Sequence, residues 1–116
     1  MATFTKVKLS GSTNGRGIAV VSTTAGSGTT IHLAHATALD EIWLYAANID
    51  STARILTVEF GGTTATSDYI QQSIAVTPSG LVLVCAGLIL TGSVTVTAFA
   101  AAASKIEIFG FVNRIA

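Results

Sequence analysis

Two histidines, His32 and His35, one cysteine, Cys85, and the carboxylates Asp40, Glu41, Asp50, Glu59, Asp68 and Glu107 are the side chains here that could ligate a metal or move a proton. Their spacing argues against both. His32 and His35 stand three apart, and on a strand residues three apart point to opposite faces, so the pair does not converge on one ion. Asp40 and Glu41 are neighbours, which on a strand also face opposite ways and cannot share a proton as an acid and base pair; their place is at the start of a strand. Asp50, Asp68 and the Gly61-Gly62 turn lack the ligand spacing of a calcium loop. A serine nucleophile needs a nearby histidine and an orienting carboxylate, and no Gly-x-Ser-x-Gly elbow occurs. Cys85 sits within Leu81-Val82-Leu83-Val84-Cys85 and reads as a buried, inert thiol with no disulfide partner. Asn14-Gly15-Arg16-Gly17 has glycines but not the Lys-Ser/Thr of a phosphate loop, and reads as a turn. The expectation is no catalytic residue, no metal and no cofactor.

Six basic and six acidic residues cancel. With no net charge, and with aromatics set in apolar runs instead of among bases, nothing points to nucleic acid. Lys6, Lys8 and Arg16 all precede the first acid, Asp40, so the N-terminal third is mildly cationic and suited to an acidic partner surface. The N-terminus lacks the apolar core of a secretory signal, which implies synthesis in the cytoplasm. Leu81 to Ala103 is uncharged and long enough to cross a bilayer as a helix. Gly87, Gly92 and Ser93 interrupt it, however, and Val94-Thr95-Val96-Thr97-Ala98-Phe99 alternates with a period of two. Strands are expected there and no membrane contact.

Those side chains are carried by a chain that reads as strands throughout. Eight runs rich in Val, Ile, Thr and aromatics recur about every ten residues: 17–23, 30–34, 41–47, 54–60, 69–76, 81–85, 93–99 and 105–112. Between them lie turn-forming clusters such as Thr24-Ala25-Gly26-Ser27-Gly28, Gly61-Gly62-Thr63-Thr64 and Thr77-Pro78-Ser79-Gly80. In the fourth run Leu56, Val58 and Phe60 share an inward face, with Glu59 on the other. In the last run Ile106 and Ile108 point inward and Lys105 and Glu107 outward. Continuing that alternation puts Phe109 and Phe111 outside, unless a bulge at Gly110 turns one ring inward. The pattern predicts an all-β, single-domain antiparallel β-sandwich of jelly-roll type, with an immunoglobulin-like sandwich as the alternative. Residues 1–16 are assigned to an N-terminal arm and 17–116 to the sandwich.

Only 10% of the residues are charged and 50% are hydrophobic, against about 25% charged in an ordinary domain. So little charge cannot cover a monomer well, which favours a homo-oligomer. Ile42-Trp43-Leu44-Tyr45-Ala46 and Leu81 to Cys85 are apolar on both faces, as in central strands or strands at a subunit interface. Trp43, Tyr45, Phe109 and Phe111 are the expected self-association residues.

Five segments carry a resemblance: Lys8-Leu9-Ser10-Gly11-Ser12-Thr13-Asn14-Gly15-Arg16, Leu39-Asp40-Glu41-Ile42-Trp43-Leu44-Tyr45-Ala46, Val58-Glu59-Phe60-Gly61-Gly62-Thr63, Gly80-Leu81-Val82-Leu83-Val84 and Gly110-Phe111-Val112-Asn113-Arg114-Ile115. From about Lys8 to Arg114 the chain resembles small virion structural proteins of tailed bacteriophages, of the head decoration or cement type. The resemblance implies a non-enzymatic β-sandwich made in the host cytoplasm. It would cluster on the capsid surface around symmetry axes, commonly as a trimer, and clamp neighbouring major capsid protein subunits. Lys6, Lys8 and Arg16 would then be the capsid contacts. Two other roles are kept open: another virion component such as a tail or head-fibre subunit, and a carbohydrate-binding sandwich module. For the latter only Trp43, Tyr45 and Tyr69 could serve, with Trp43 expected to be buried.

Overall fold

Apolar side chains at every second position make one face of an extended segment greasy, and two such segments bury those faces by packing sheet against sheet. The computed structural model describes residues 3–65, 67–75 and 80–116. Its strands are β1 (Phe4–Lys8), β2 (Ile18–Ala19), β3 (Thr29–Leu33), β4 (Leu39–Asn48), β5 (Arg54–Phe60), β6 (Tyr69–Ile74), β7 (Val82–Leu90), β8 (Thr95–Ala100) and β9 (Ile106–Ile115). All pairings are antiparallel. One sheet runs β1-β9-β4-β7 with β2 also on β9, and the other runs β3-β8-β5-β6. From β2 onward every connection changes sheet except the β5–β6 hairpin, so β2-β9-β4-β7 faces β3-β8-β5-β6. That is the strand order of a jelly roll.

The core lies between the sheets. Ile42, Leu44 and Ala46 of β4 and Ile106, Ile108 and Val112 of β9 meet Leu56 and Val58 of β5 and Val96, Ala98 and Ala100 of β8, and all are essentially inaccessible to solvent. Cys85 is buried among them, its Sγ donating to the Ile42 carbonyl at 3.2 Å, and burial pushes its thiol pKa up.

Several segments differ from the sequence expectation, for identifiable reasons. The segment read as an arm is built into the sheet: Phe4–Lys8 pairs with Ile115–Phe111 along β9, and Leu9 is in the core. Its apolar residues are too few and too interleaved with charge to announce a strand; the long β9 supplies the template. β7 runs on to Leu90, past the Ala86-Gly87 that seemed to end it, and its pairing with β4 carries two bulges. One bulge falls at Gly87, whose φ is +70° and whose missing side chain leaves room for the Trp43 indole. β7 lies at a sheet edge, whereas β4 is central. Leu81 to Ala103 therefore contains β7 and β8, and among the described residues no helix is long and apolar enough to cross a membrane. Glu59 faces away from the inter-sheet core as expected, yet it is fully buried. The Thr24–Gly28 loop folds over it, with Gly26 N and Thr97 Oγ1 donating to its carboxylate at 3.1 and 2.7 Å. Val76 and the Thr77-Pro78-Ser79 turn lie outside the described residues.

Candidate functional site

β4 alternates without a break: Asp40, Ile42, Leu44, Ala46 and Asn48 point into the sandwich and are buried, while Glu41, Trp43, Tyr45 and Ala47 point outward. Trp43 is thus half-buried on the outer face, not in the core. On β9, which pairs with β4 in continuous register from Leu39↔Ile115 to Asn48↔Ile106, no bulge occurs at Gly110, and both Phe109 and Phe111 project outward with Glu107 and Asn113. Gly110 is the residue that permits this: a Cβ there would collide with the Trp43 carbonyl, so the two central strands approach closely only because it is glycine.

The register lays the outer side chains in rungs across the sheet. The first is Phe4, Ile115 and Leu39; the second Lys6, Asn113, Glu41 and Ile89; the third Lys8, Phe111, Trp43 and Ala86; the fourth Phe109, Tyr45 and Leu83. All four expected self-association residues therefore occupy adjacent positions on two neighbouring strands. Trp43 and Phe111 are stacked, with centroids 6.1 Å apart and planes within 10°. On the β7 side Leu83 and Ile89 are about half exposed, and on the β1 side Phe4 is 74% exposed.

The expected capsid contacts lie on the same surface. Lys6 Nζ stands 4.8 Å from the Phe111 centroid, in cation–π range. Lys8 Nζ reaches the Ser12 carbonyl at 3.4 Å. Arg16 and Thr13 line a cleft of about 570 Å³ with Gly17, Glu107 and Phe109, reached through a turn in which Asn14 and Gly15 have positive φ. None of the three cations is in an ion pair among the described residues. A second cleft, of about 410 Å³, is lined by Phe4, Thr5, Lys6, Glu41, Asn113 and Ile115. Glu41 is fixed there: its Oε1 accepts from Trp43 Nε1 at 2.7 Å and Asn113 Nδ2 at 3.0 Å, and these bonds lower its pKa. Sequence reasoning missed Glu41 and Asn113 as surface-site residues, because only the β4–β9 register puts them side by side.

Beneath this face lies a buried polar network. His32 and Asp40, 1% and 0% exposed, join through Nε2 and Oδ2 at 2.8 Å, and Arg114 donates to both Asp40 oxygens at 2.7 and 3.0 Å. Burial pushes the Asp40 carboxyl up, but the Arg114 and His32 side chains and the His35 backbone N–H outweigh it and bring it down to about 2. Ser10 lies on the other side of His32, which superficially completes a serine, histidine and aspartate set. The bonding rules out activation. Ser10 offers His32 Nδ1 its backbone N–H, at 3.1 Å, while its Oγ accepts from Leu33 N at 2.6 Å. The imidazole therefore has no lone pair turned to the hydroxyl, and the network joins β3, β4, β9 and the loop after β1. His35 is used locally, its Nδ1 accepting from the Thr37 and Ala38 backbone N–H groups.

No protein-family model, characterised protein or solved structure matches this chain.

Proposed function

We propose that the protein is a self-associating structural subunit of a virus particle, a capsid decoration protein that binds an assembled major capsid lattice and stabilises it. The observation that carries this is the aromatic belt of Trp43, Phe111, Tyr45 and Phe109 on one sheet face, bordered by Lys6, Lys8 and Arg16. Clustered aromatics within a margin of charge are the anatomy of a protein interface, where a few large rigid side chains dominate the binding energy. Copies of the chain cover the belt, with the Phe109, Tyr45 and Leu83 rung at its centre. The cations at its margin meet the acidic lattice. The resemblance to phage head decoration proteins supplies the partner, the major capsid protein, and the trimer. A subunit that binds only the assembled shell stabilises it by mass action, and a trimer multiplies weak contacts through effective concentration.

The test is co-sedimentation of the purified protein with heads assembled from the major capsid protein encoded alongside it, at low and high salt. Saturable occupancy is expected, reduced at least about tenfold in affinity when Lys6, Lys8 and Arg16 are all changed to Glu. Absence of binding to expanded heads at any salt concentration would reject the assignment.

A further inference from the structure

Asn14 and Gly15 form the exposed tip of a turn between β1 and β2, with φ of 56° and 84°. The turn is anchored at its base, where Arg16 N donates to the Thr13 carbonyl at 3.0 Å and Ser12 Oγ donates to the Arg16 carbonyl. Positive φ at both central residues with that closing bond is a type I′ turn. Among the described residues neither Asn14 nor Gly15 makes a hydrogen bond through its backbone or side chain. A Cβ built on Gly15 would have no atom within 4 Å, and glycine itself leaves its amide nitrogen unshielded. The chain's other two asparagines are held. Asn48 is fully buried, its Nδ2 donates to the Thr52 and Ile74 carbonyls, and the branched Ile49 follows it. Asn113 lies in β9 between β1 and β4, donates to Glu41 and precedes Arg114.

We propose that Asn14 is a modification site, where the folded protein converts its own side-chain amide to a carboxylate through attack by the Gly15 backbone nitrogen. That nitrogen, on losing its proton to hydroxide, bonds to Asn14 Cγ; the Cγ–Nδ2 bond breaks, ammonia leaves and a five-membered imide closes. Water then opens the imide at either carbonyl. One opening gives aspartate, the other isoaspartate, in which the chain runs through the side-chain carbon. One water is consumed and one ammonia released, with no oxidant or reductant. The nucleophile belongs to the next residue, so the rate depends on reaching the ring-closing geometry. A flip of the central peptide supplies it. Type I′ becomes type II′, the Arg16–Thr13 bond is kept, and ψ of Asn14 turns to about −120°. There the Cα–Cβ bond eclipses the Gly15 nitrogen, as the ring requires. The product carries a negative charge two residues from Arg16, on the cationic margin of the belt. One consequence rests on the capsid reading, although the modification does not: converted subunits dock less tightly on an acidic lattice.

The folded protein would be held at mildly alkaline pH for several weeks, beside a sample in urea, and both mapped by proteolysis and mass spectrometry. Isoaspartate would be detected by enzymatic methylation. In the folded protein Asn14 should convert at least about tenfold faster than Asn48 or Asn113, and faster still as the pH rises. Gly15→Ala sets a methyl group beside the attacking nitrogen and should slow the conversion about tenfold or more. Asn14→Ser should abolish the acidic species that ion exchange separates from the unchanged protein, with folding of both variants checked by thermal melting. Asn14 that stays intact in the folded protein while converting in urea would overturn the proposal. So would equal conversion of the three asparagines, or a Gly15→Ala rate matching the unchanged protein. The consequence is tested apart from the chemistry, by co-sedimenting Asn14→Asp with heads, where affinity should fall about threefold or more. Equal affinity would remove the consequence, and absence of binding by the unchanged protein would reject the capsid reading; the mass map decides the modification in either case.

Discussion

Asp40 satisfies His32, Arg114 and the His35 backbone from a position with no solvent access. Asp40→Ala would leave the guanidinium and the imidazole facing an empty pocket. Removing one member of a buried pair costs roughly 3–5 kcal/mol. Urea denaturation should show a loss of that order with an unchanged m-value. The pH dependence follows from the carboxyl being brought down to about 2 in the folded state. Its ordinary value, about 3.9, holds in the unfolded chain, so the unfolded state binds the proton more tightly. The stabilisation is therefore complete above about pH 5, falls as the pH drops through 4 toward 2, and amounts to about 2 kcal/mol. Stability measured from pH 6 to pH 2 should decline over that window, and the decline should shrink in Asp40→Asn. The carboxylate was readable in the sequence; its partners were not. Arg114 lies at the other end of the chain, and no local pattern connects it with residue 40.

β1 and β7 are the elements whose roles the tertiary structure alters most. β1 pairs five residues with the end of β9, and the adjoining Leu9 is buried. Deleting residues 1–8 removes that pairing and exposes the flank of β9. The truncated protein should still fold, with a loss on the order of 2 kcal/mol and a melting temperature lower by roughly 8 °C. A truncation with an unchanged melting temperature would mean that the strand contributes nothing to the sheet. β7 is uncharged along its whole length and sits at an edge, where bulges help prevent uncontrolled pairing with other chains. Gly110 plays a related part within the sheet. Gly110→Ala should force β4 and β9 apart at Trp43, costing roughly 1–3 kcal/mol and raising the solvent exposure of the indole, which tryptophan fluorescence would register.

For the molecule as a whole, the two sheets present unlike outer surfaces. The four-stranded sheet carries Thr57, Gln71 and Ser73 together with the half-exposed Ile55 and Leu33 and, among the described residues, one Tyr69–Phe99 pair, whereas the five-stranded sheet carries the aromatic belt. Association through the belt should be broken by charge at its centre. Tyr45→Asp combined with Phe109→Asp should leave the fold intact and weaken self-association by about 30-fold or more, since central interface aromatics each contribute about 2 kcal/mol or more. Sedimentation velocity of the variant beside the unchanged protein would show this as a shift to smaller species. Identical sedimentation of the two would place the self-interface elsewhere.

How much of this was legible depends on the range over which each feature is decided. Period-two alternation is local, and it marked β4, β5, β8 and β9, the inward Ile106 and Ile108, and a sandwich of the jelly-roll kind, while the choice between two outward rings and a bulge at Gly110 was decided only by the continuous β4–β9 register. Features that depend on residues far apart in the chain came from folding. Register between β4 and β9 set Trp43 beside Phe111 and Glu41 beside Asn113, and a loop thirty-odd residues away buried Glu59. A side chain's alternation says which face of a strand it takes. Which strand lies alongside, and what covers that face, depends on sheet order, which is settled only when the whole core packs.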